Sequence, residues 1–174
     1  VRYNTRTGIS TRMTNLPTGA FDGATLTYVS SENSIYAIAG NGCRAIFKYS
    51  IPQNSWTELT SDLVPAAAPP GTGTSLTWDG GQYLYYLRGV ATNAWYRYDL
   101  NGSDGSRWSS ALSVTGLTGV TFGAGSEVVI RDNRLYVMRA QGNMTFYSID
   151  LANPTTGTWS TLAALPTTPA PFTA

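Results

Sequence analysis

The feature that most constrains this chain is a set of three markers that recur at intervals of 49 to 52 residues. The first is an apolar residue followed by tyrosine, and it occurs at Ile35-Tyr36, Leu84-Tyr85 and Leu135-Tyr136. The second is a short aromatic run that ends at Tyr49, Tyr98 and Tyr147. The third is a tryptophan after a polar turn, at Trp56, Trp108 and Trp159. Because separate markers keep step, the chain is expected to contain three copies of one supersecondary unit.

Each copy is expected to contain four short strands. The stretches 24–29, 75–78 and 127–130 have strand character and lead into the turns SSENS, DGGQ and RDNR, which suit tight hairpins. The three markers then indicate the second, third and fourth strands. The apolar residues show no helical periodicity, and the proline-rich stretch 64–73 predicts a connector.

Four antiparallel strands in each repeat are typical of the blades of a β-propeller. The chain resembles kelch repeats, in which one strand ends in a glycine pair, the next carries a tyrosine, and a tryptophan follows a turn. Tyrosine and tryptophan are present in all three copies, but only Gly40 and Gly89 remain of the glycine pairs. The resemblance implies an all-β fold of three four-stranded antiparallel blades at 21–68, 69–118 and 119–166. A plain antiparallel sandwich is the alternative architecture.

Both ends of the chain lie outside these blades. Residues 8–17, GISTRMTNLP, align without gaps on residues 157–166, GTWSTLAALP, with Ser10 in place of Trp159. Residues 1–20 are therefore interpreted as the last strand of a further blade and a linker, whose first three strands are missing. Residues 167–174 are interpreted as a proline-rich tail.

Three blades are fewer than the four to eight that close a propeller ring. The chain is therefore expected either to be a segment of a longer propeller or to assemble with copies of itself. Assembly would proceed into a ring, or into a filament by donation of the N-terminal strand. The predicted assembly interface contains the apolar and strand residues of the two ends: Ile9, Thr11, Met13, Leu16 and Phe172.

The composition argues against catalysis. The chain has no histidine, which excludes Ser-His-Asp and Cys-His arrangements and removes the commonest metal ligand. Its sole cysteine, Cys43, lies in a turn, and five of its ten acidic residues lie in predicted turns: Asp79, Asp99, Asp104, Asp132 and Asp150. We therefore predict no enzyme activity and no catalytic, cofactor or metal residues. A net charge of +1 and the lack of a long apolar run predict neither nucleic-acid binding nor membrane insertion.

These observations predict a non-catalytic structural or interaction protein that assembles with copies of itself. Only 12% of the residues are charged, so the surface is rich in hydroxyl groups, and an extracellular or cell-surface location is expected. The alternative function is a propeller module that binds carbohydrate or another ligand through aromatic side chains. The aromatic residues outside the repeat markers are the candidates for such contacts: Tyr28, Trp78, Tyr86 and Trp95.

Overall fold

Antiparallel strands form almost all of the regular structure in the computed structural model, which describes residues 1–140 and 145–164. An N-terminal hairpin contains β1 (Arg2–Tyr3) and β2 (Ser10–Thr11). The first sheet contains β3 (Thr25–Val29), β4 (Ser34–Gly40), β5 (Cys43–Ser50) and β6 (Ser55–Glu58). The second contains β7 (Ser75–Trp78), β8 (Tyr83–Leu87) and β9 (Trp95–Asp99). The third contains β10 (Glu127–Arg131), β11 (Arg134–Met138), β12 (Phe146–Asp150) and β13 (Ser160–Leu162). The all-β prediction is confirmed, and none of these sheets is closed.

The strands of each sheet follow one another in chain order, and the register shows which residues of the three sheets are equivalent. Tyr36, Tyr85 and Tyr136 pair across the first two strands with Thr27, Thr77 and Val129, respectively. These pairs define equivalent positions in all three sheets. They agree with the first sequence marker.

The second marker was aligned wrongly in the third copy. Tyr49 pairs with Ile35 and Tyr98 with Leu84, but the partner of Leu135 is Ile149. The second and third sheets place their partners the same distance apart in the chain, so Ile149 is the equivalent of Tyr98. Tyr147, which the sequence pattern matches with Tyr98, lies two residues before this position.

The second sheet has three strands where four were predicted. Trp108 forms only an isolated bridge with Tyr98. The reason lies at the neighbouring pair, where Ser109 N donates to Arg97 O, but Arg97 N donates to the Ser109 hydroxyl at 3.0 Å. A side chain thus replaces the carbonyl that would have continued the ladder.

The three sheets lie side by side, because β7 is adjacent to β3 on one side and to β10 on the other. Leu76 N donates to Thr25 Oγ1 at 3.1 Å, and Ser75 Oγ donates to Glu127 Oε1 at 2.9 Å. One apolar core fills the space between the first and second sheets, and another fills the space between the second and third. The second sheet is therefore covered on both faces.

The sequence predicts an N-terminal strand whose own sheet is missing, but in the structure this strand has a partner. β2 pairs with β1, so that Arg2 lies opposite Thr11 and Tyr3 opposite Ser10. Asn4 forms the turn by accepting hydrogen bonds from Arg6 N and Thr7 N through its side-chain oxygen. All four residues of these strands are exposed, Tyr3 by 60%, so the hairpin is supported by little apolar burial.

Candidate interaction surface

The face of the first sheet that points away from the second sheet is incompletely covered. Leu76 and Val128, at equivalent positions of β7 and β10, face the preceding sheet and are 5% and 8% exposed. The equivalent Leu26 on β3 is 63% exposed, and Tyr28 is 48% exposed. We call this surface the open face, and we define it by strand alternation from its register: Leu26, Tyr28, Ile35, Ala37, Phe47, Tyr49 and Trp56.

The outer part of the open face is covered by the segment that follows the N-terminal hairpin. Leu16 packs against a small core that includes Phe47, and Trp56 Nε1 donates to Thr14 O at 3.1 Å. Thr14 also donates twice to Asn54, from its N–H to Oδ1 and from its hydroxyl to the carbonyl. These contacts leave the β3 side of the face open to solvent.

Two grooves border Leu26 and Trp56 on the open face. The larger, of about 450 Å³, continues past Ala20 and Ala24 to Thr74 and Glu127. The smaller, of about 270 Å³, lies under the N-terminal segment and is also lined by Val1, Met13 and Tyr49. Their walls are mainly apolar, so they suit apolar side chains better than a charged ligand.

The outer face of the third sheet is also partly exposed. Val129 on β10 is 55% exposed, whereas the equivalent Thr27 and Thr77 lie between sheets. Tyr136 is half-buried and stacks on Phe146, with ring centroids 5.7 Å apart. We call this surface the terminal face, and we define it by its members: Val129, Tyr136, Met138 and Phe146.

The structure brings together only part of the predicted assembly interface. Met13 and Leu16 lie on the open face, where Met13 lines the smaller groove. Ile9 and Thr11 belong to the exposed N-terminal hairpin. Phe172 lies outside the described residues.

Two of the four predicted contact aromatics are wrong. Tyr86 is fully buried between the first and second sheets, and its hydroxyl donates to Ala68 O at 2.8 Å. Trp95 is buried between the second and third sheets and donates to Ser113 O at 2.8 Å. Tyr28 is exposed, and Trp78 is partly buried against the first core, with its indole N–H bound to Gly81 O. Sequence reasoning did not identify Leu26, although the fixed repeat interval relates it to the covered Leu76.

A buried polar cluster between the first and second sheets was also missed. Asp62 accepts hydrogen bonds from Tyr98 Oη at 3.1 Å and Gly105 N at 2.8 Å, and Arg107 Nε lies 3.4 Å from its carboxylate. Burial raises the pKa of Tyr98, and the charge of Asp62 raises it further. Nearby, Tyr36 donates to Glu32 at 2.8 Å. Arg107 Nε is buried and makes no hydrogen bond with the described residues, so its pairing with Asp62 is electrostatic, whereas Tyr98 and Gly105 are hydrogen-bonded to the carboxylate. Through these contacts the cluster links the first and second sheets.

Among the residues that the structure describes, no group of three His, Cys, Asp or Glu side chains could hold a metal ion. The same residues contain no helix that is long and apolar enough to span a membrane.

No family model matches the sequence, and no curated protein matches it either. The fold is similar to a solved structure, that of YjhT, with a TM-score of 0.63 at 16% sequence identity. The similarity covers 90% of this chain and 55% of the YjhT chain. The chain thus spans about half the length of YjhT, and at this identity the likeness concerns the fold alone.

Proposed function

We propose that the three sheets are kelch-like propeller blades, and that the protein is a non-catalytic structural or interaction protein that associates with copies of itself. The observation that carries this proposal is the exposure of Leu26 and Tyr28 at positions whose equivalents are covered in the other two sheets. Association would build a ring or, where the geometry does not close, a filament.

The assignment of the sheets as blades is supported by their order and their packing. Each sheet is antiparallel with its strands in chain order, and the first strands β3, β7 and β10 lie next to one another. Blades around a propeller axis have the same order and adjacency, which supports the assignment.

Association is supported by the physical chemistry of the open face. Fully burying a leucine or comparable side chain lowers the free energy by roughly 1.5–3 kcal/mol relative to leaving it in water. Leu26 and Tyr28 both retain a large exposed fraction, so a partner that covers them gains part of this free energy. A contiguous exposed apolar patch of this kind marks an interaction site in soluble proteins. The absence of histidine and the small number of charged residues support a non-catalytic, extracellular protein.

The test is sedimentation velocity of the purified chain over a wide range of concentrations. Leu26→Arg places a charge on the open face, and we expect it to weaken association by about tenfold or more. Leu63→Arg is the matched control, because Leu63 is also an exposed leucine but lies in the connection after the first sheet. A wild-type chain that stays monomeric at every concentration would overturn the proposal.

A ligand-binding module is the second candidate, supported by the exposed ring of Tyr28. The alternative predicts that wild-type protein binds on a glycan array and that Tyr28→Ala does not. Because the same substitution alters the open face, sedimentation of Tyr28→Ala should be measured in parallel. Glycan binding that survives in monomeric Leu26→Arg protein would favour this alternative.

A further inference from the structure

The contact between neighbouring sheets is the same in both internal interfaces. A Cβ atom on Gly23 would lie 1.9 Å from Gly71 O, and a Cβ on Gly73 would lie 1.9 Å from Gly123 O. Only glycine permits such an approach of one backbone to another. These two contacts therefore fix how each sheet sits against the next.

The glycine and the carbonyl of this contact each occur at a third equivalent position, where they do not meet each other within the chain. Gly125 is the equivalent of Gly23 and Gly73, but among the described residues no backbone carbonyl lies within 4 Å of its added Cβ, which has Ala140 Cβ at 3.1 Å. Phe21 O is the equivalent of the carbonyls of Gly71 and Gly123, because all three accept a hydrogen bond from the N–H three residues later. The chain thus presents an open glycine at one end and an open carbonyl at the other.

We propose that a second copy docks head to tail in the register of the internal interfaces, with its Phe21 carbonyl against Gly125. This inference rests on the proposed function and specifies the partner surfaces. The open face of one copy, with Leu26 and Tyr28, then packs on the terminal face of the other, with Val129 and Tyr136. The partner is identified by continuity, since two filled examples of the same interface exist within the chain.

The docking requires the N-terminal hairpin to move. Each repeat tryptophan donates to a carbonyl in the segment after the preceding sheet: Trp56 to Thr14, Trp108 to Asp62 and Trp159 to Ser113. By this equivalence β2 and β1 occupy the places of the fourth and third strands of a preceding sheet. In the docked pair β13 and β12 of the first copy occupy the space that the second copy's hairpin fills in the free chain. The exposed hairpin has few contacts to lose, so its displacement is inexpensive.

The first test is a pair of glycine substitutions in the full chain. Gly125→Ala places a methyl group where the partner's carbonyl is expected, and Gly42→Ala is the control. Both glycines have φ of +76°, and nothing lies within 4 Å of a Cβ at Gly42. We expect Gly125→Ala to weaken association in sedimentation by about tenfold or more and Gly42→Ala to change it by less than about threefold. Circular dichroism and urea unfolding check that both variants fold to the stability of the wild type, so that weaker association is read as an effect on the interface.

The second test is Thr11→Pro, which disrupts the pairing of β2 with β1 without shortening the chain. We expect association to become stronger, because the hairpin competes with the second copy. Wild-type association that Gly125→Ala leaves unchanged would overturn this register while the proposed function stands. Unchanged or weaker association of Thr11→Pro would overturn the displacement of the hairpin. A wild-type chain that stays monomeric at every concentration would overturn the proposed function itself.

Discussion

Substitution of Asp62 tests whether the buried polar cluster holds the first and second sheets together. The Asp62 carboxylate is buried and accepts from Tyr98 Oη and Gly105 N, while Arg107 lies 3.4 Å from it. Asp62→Ala removes the acceptor of the Tyr98 and Gly105 hydrogen bonds and one of the two carboxylates paired with Arg107. The guanidinium of Arg107 then keeps only Asp104 as a carboxylate partner.

The magnitude follows from the burial of the groups left behind. Breaking a buried ion pair by removing one partner costs roughly 3–5 kcal/mol, because the other charge is left uncompensated. Arg107 is 20% exposed and retains Asp104, so we expect the lower end, about 3 kcal/mol. Asp104 is 76% exposed, and Asp104→Ala should cost less than about 1 kcal/mol.

The assay is urea unfolding followed by tryptophan fluorescence at neutral pH. With a slope of roughly 1–3 kcal/mol per molar urea, Asp62→Ala should lower the midpoint by about 1–3 M. Asp62→Asn retains one acceptor oxygen, so its urea midpoint should lie between those of Asp62→Ala and the wild type. If Asp62→Ala lowers the midpoint no more than Asp104→Ala does, the buried cluster does not hold the two sheets together.

Two further predictions concern the aromatic residues. Burial raises the pKa of Tyr36, Tyr86 and Tyr98 above the ordinary value of 10, so the unfolded state releases these protons first and stability should fall as pH rises above 10. Tyrosinate absorbance alongside urea unfolding checks this, and ionisation of all eleven tyrosines together before unfolding would contradict it. Trp159→Ala should cost about 3–5 kcal/mol, because the indole is buried and hydrogen-bonded, whereas half-buried Trp56→Ala should cost roughly 2 kcal/mol. Thermal unfolding measures both losses of stability. Equal losses would contradict this prediction, because they would mean that the N-terminal segment buries Trp56 to the same extent as a neighbouring sheet buries Trp159.

The strands could be predicted because turn residues and apolar pairs repeat at nearly constant intervals. Two details depended on interactions that the pattern does not encode. The last strand of the second sheet was lost because the Ser109 hydroxyl, and not its carbonyl, accepts from Arg97 N. Ile149 was overlooked because residue identity was given more weight than the separation of cross-strand partners.

The candidate site was harder to predict, because alternation along a strand identifies two faces but does not say what covers each. The second sheet is covered on both faces, so Tyr86 and Trp95 point in opposite directions and are both buried. Neither lies at a repeat marker, which made them resemble surface residues. Leu26 carries the same type of side chain as Leu76, and only the positions of the neighbouring sheets distinguish them.

The open face and the terminal face, both partly exposed, differ in a way that bears on the symmetry of association. The open face is apolar through Leu26, Ile35 and Trp56, whereas an antiparallel sheet that faces water normally alternates apolar with polar residues. The terminal face carries Val129 and Tyr136 beside charged residues of the same sheet, including Arg134, which donates to Ser148 at 3.1 Å. A two-fold dimer would pair like with like and leave one of these faces in water. Pairing unlike faces covers both, and such a heterologous contact closes into a ring or continues as a filament according to the rotation between successive copies.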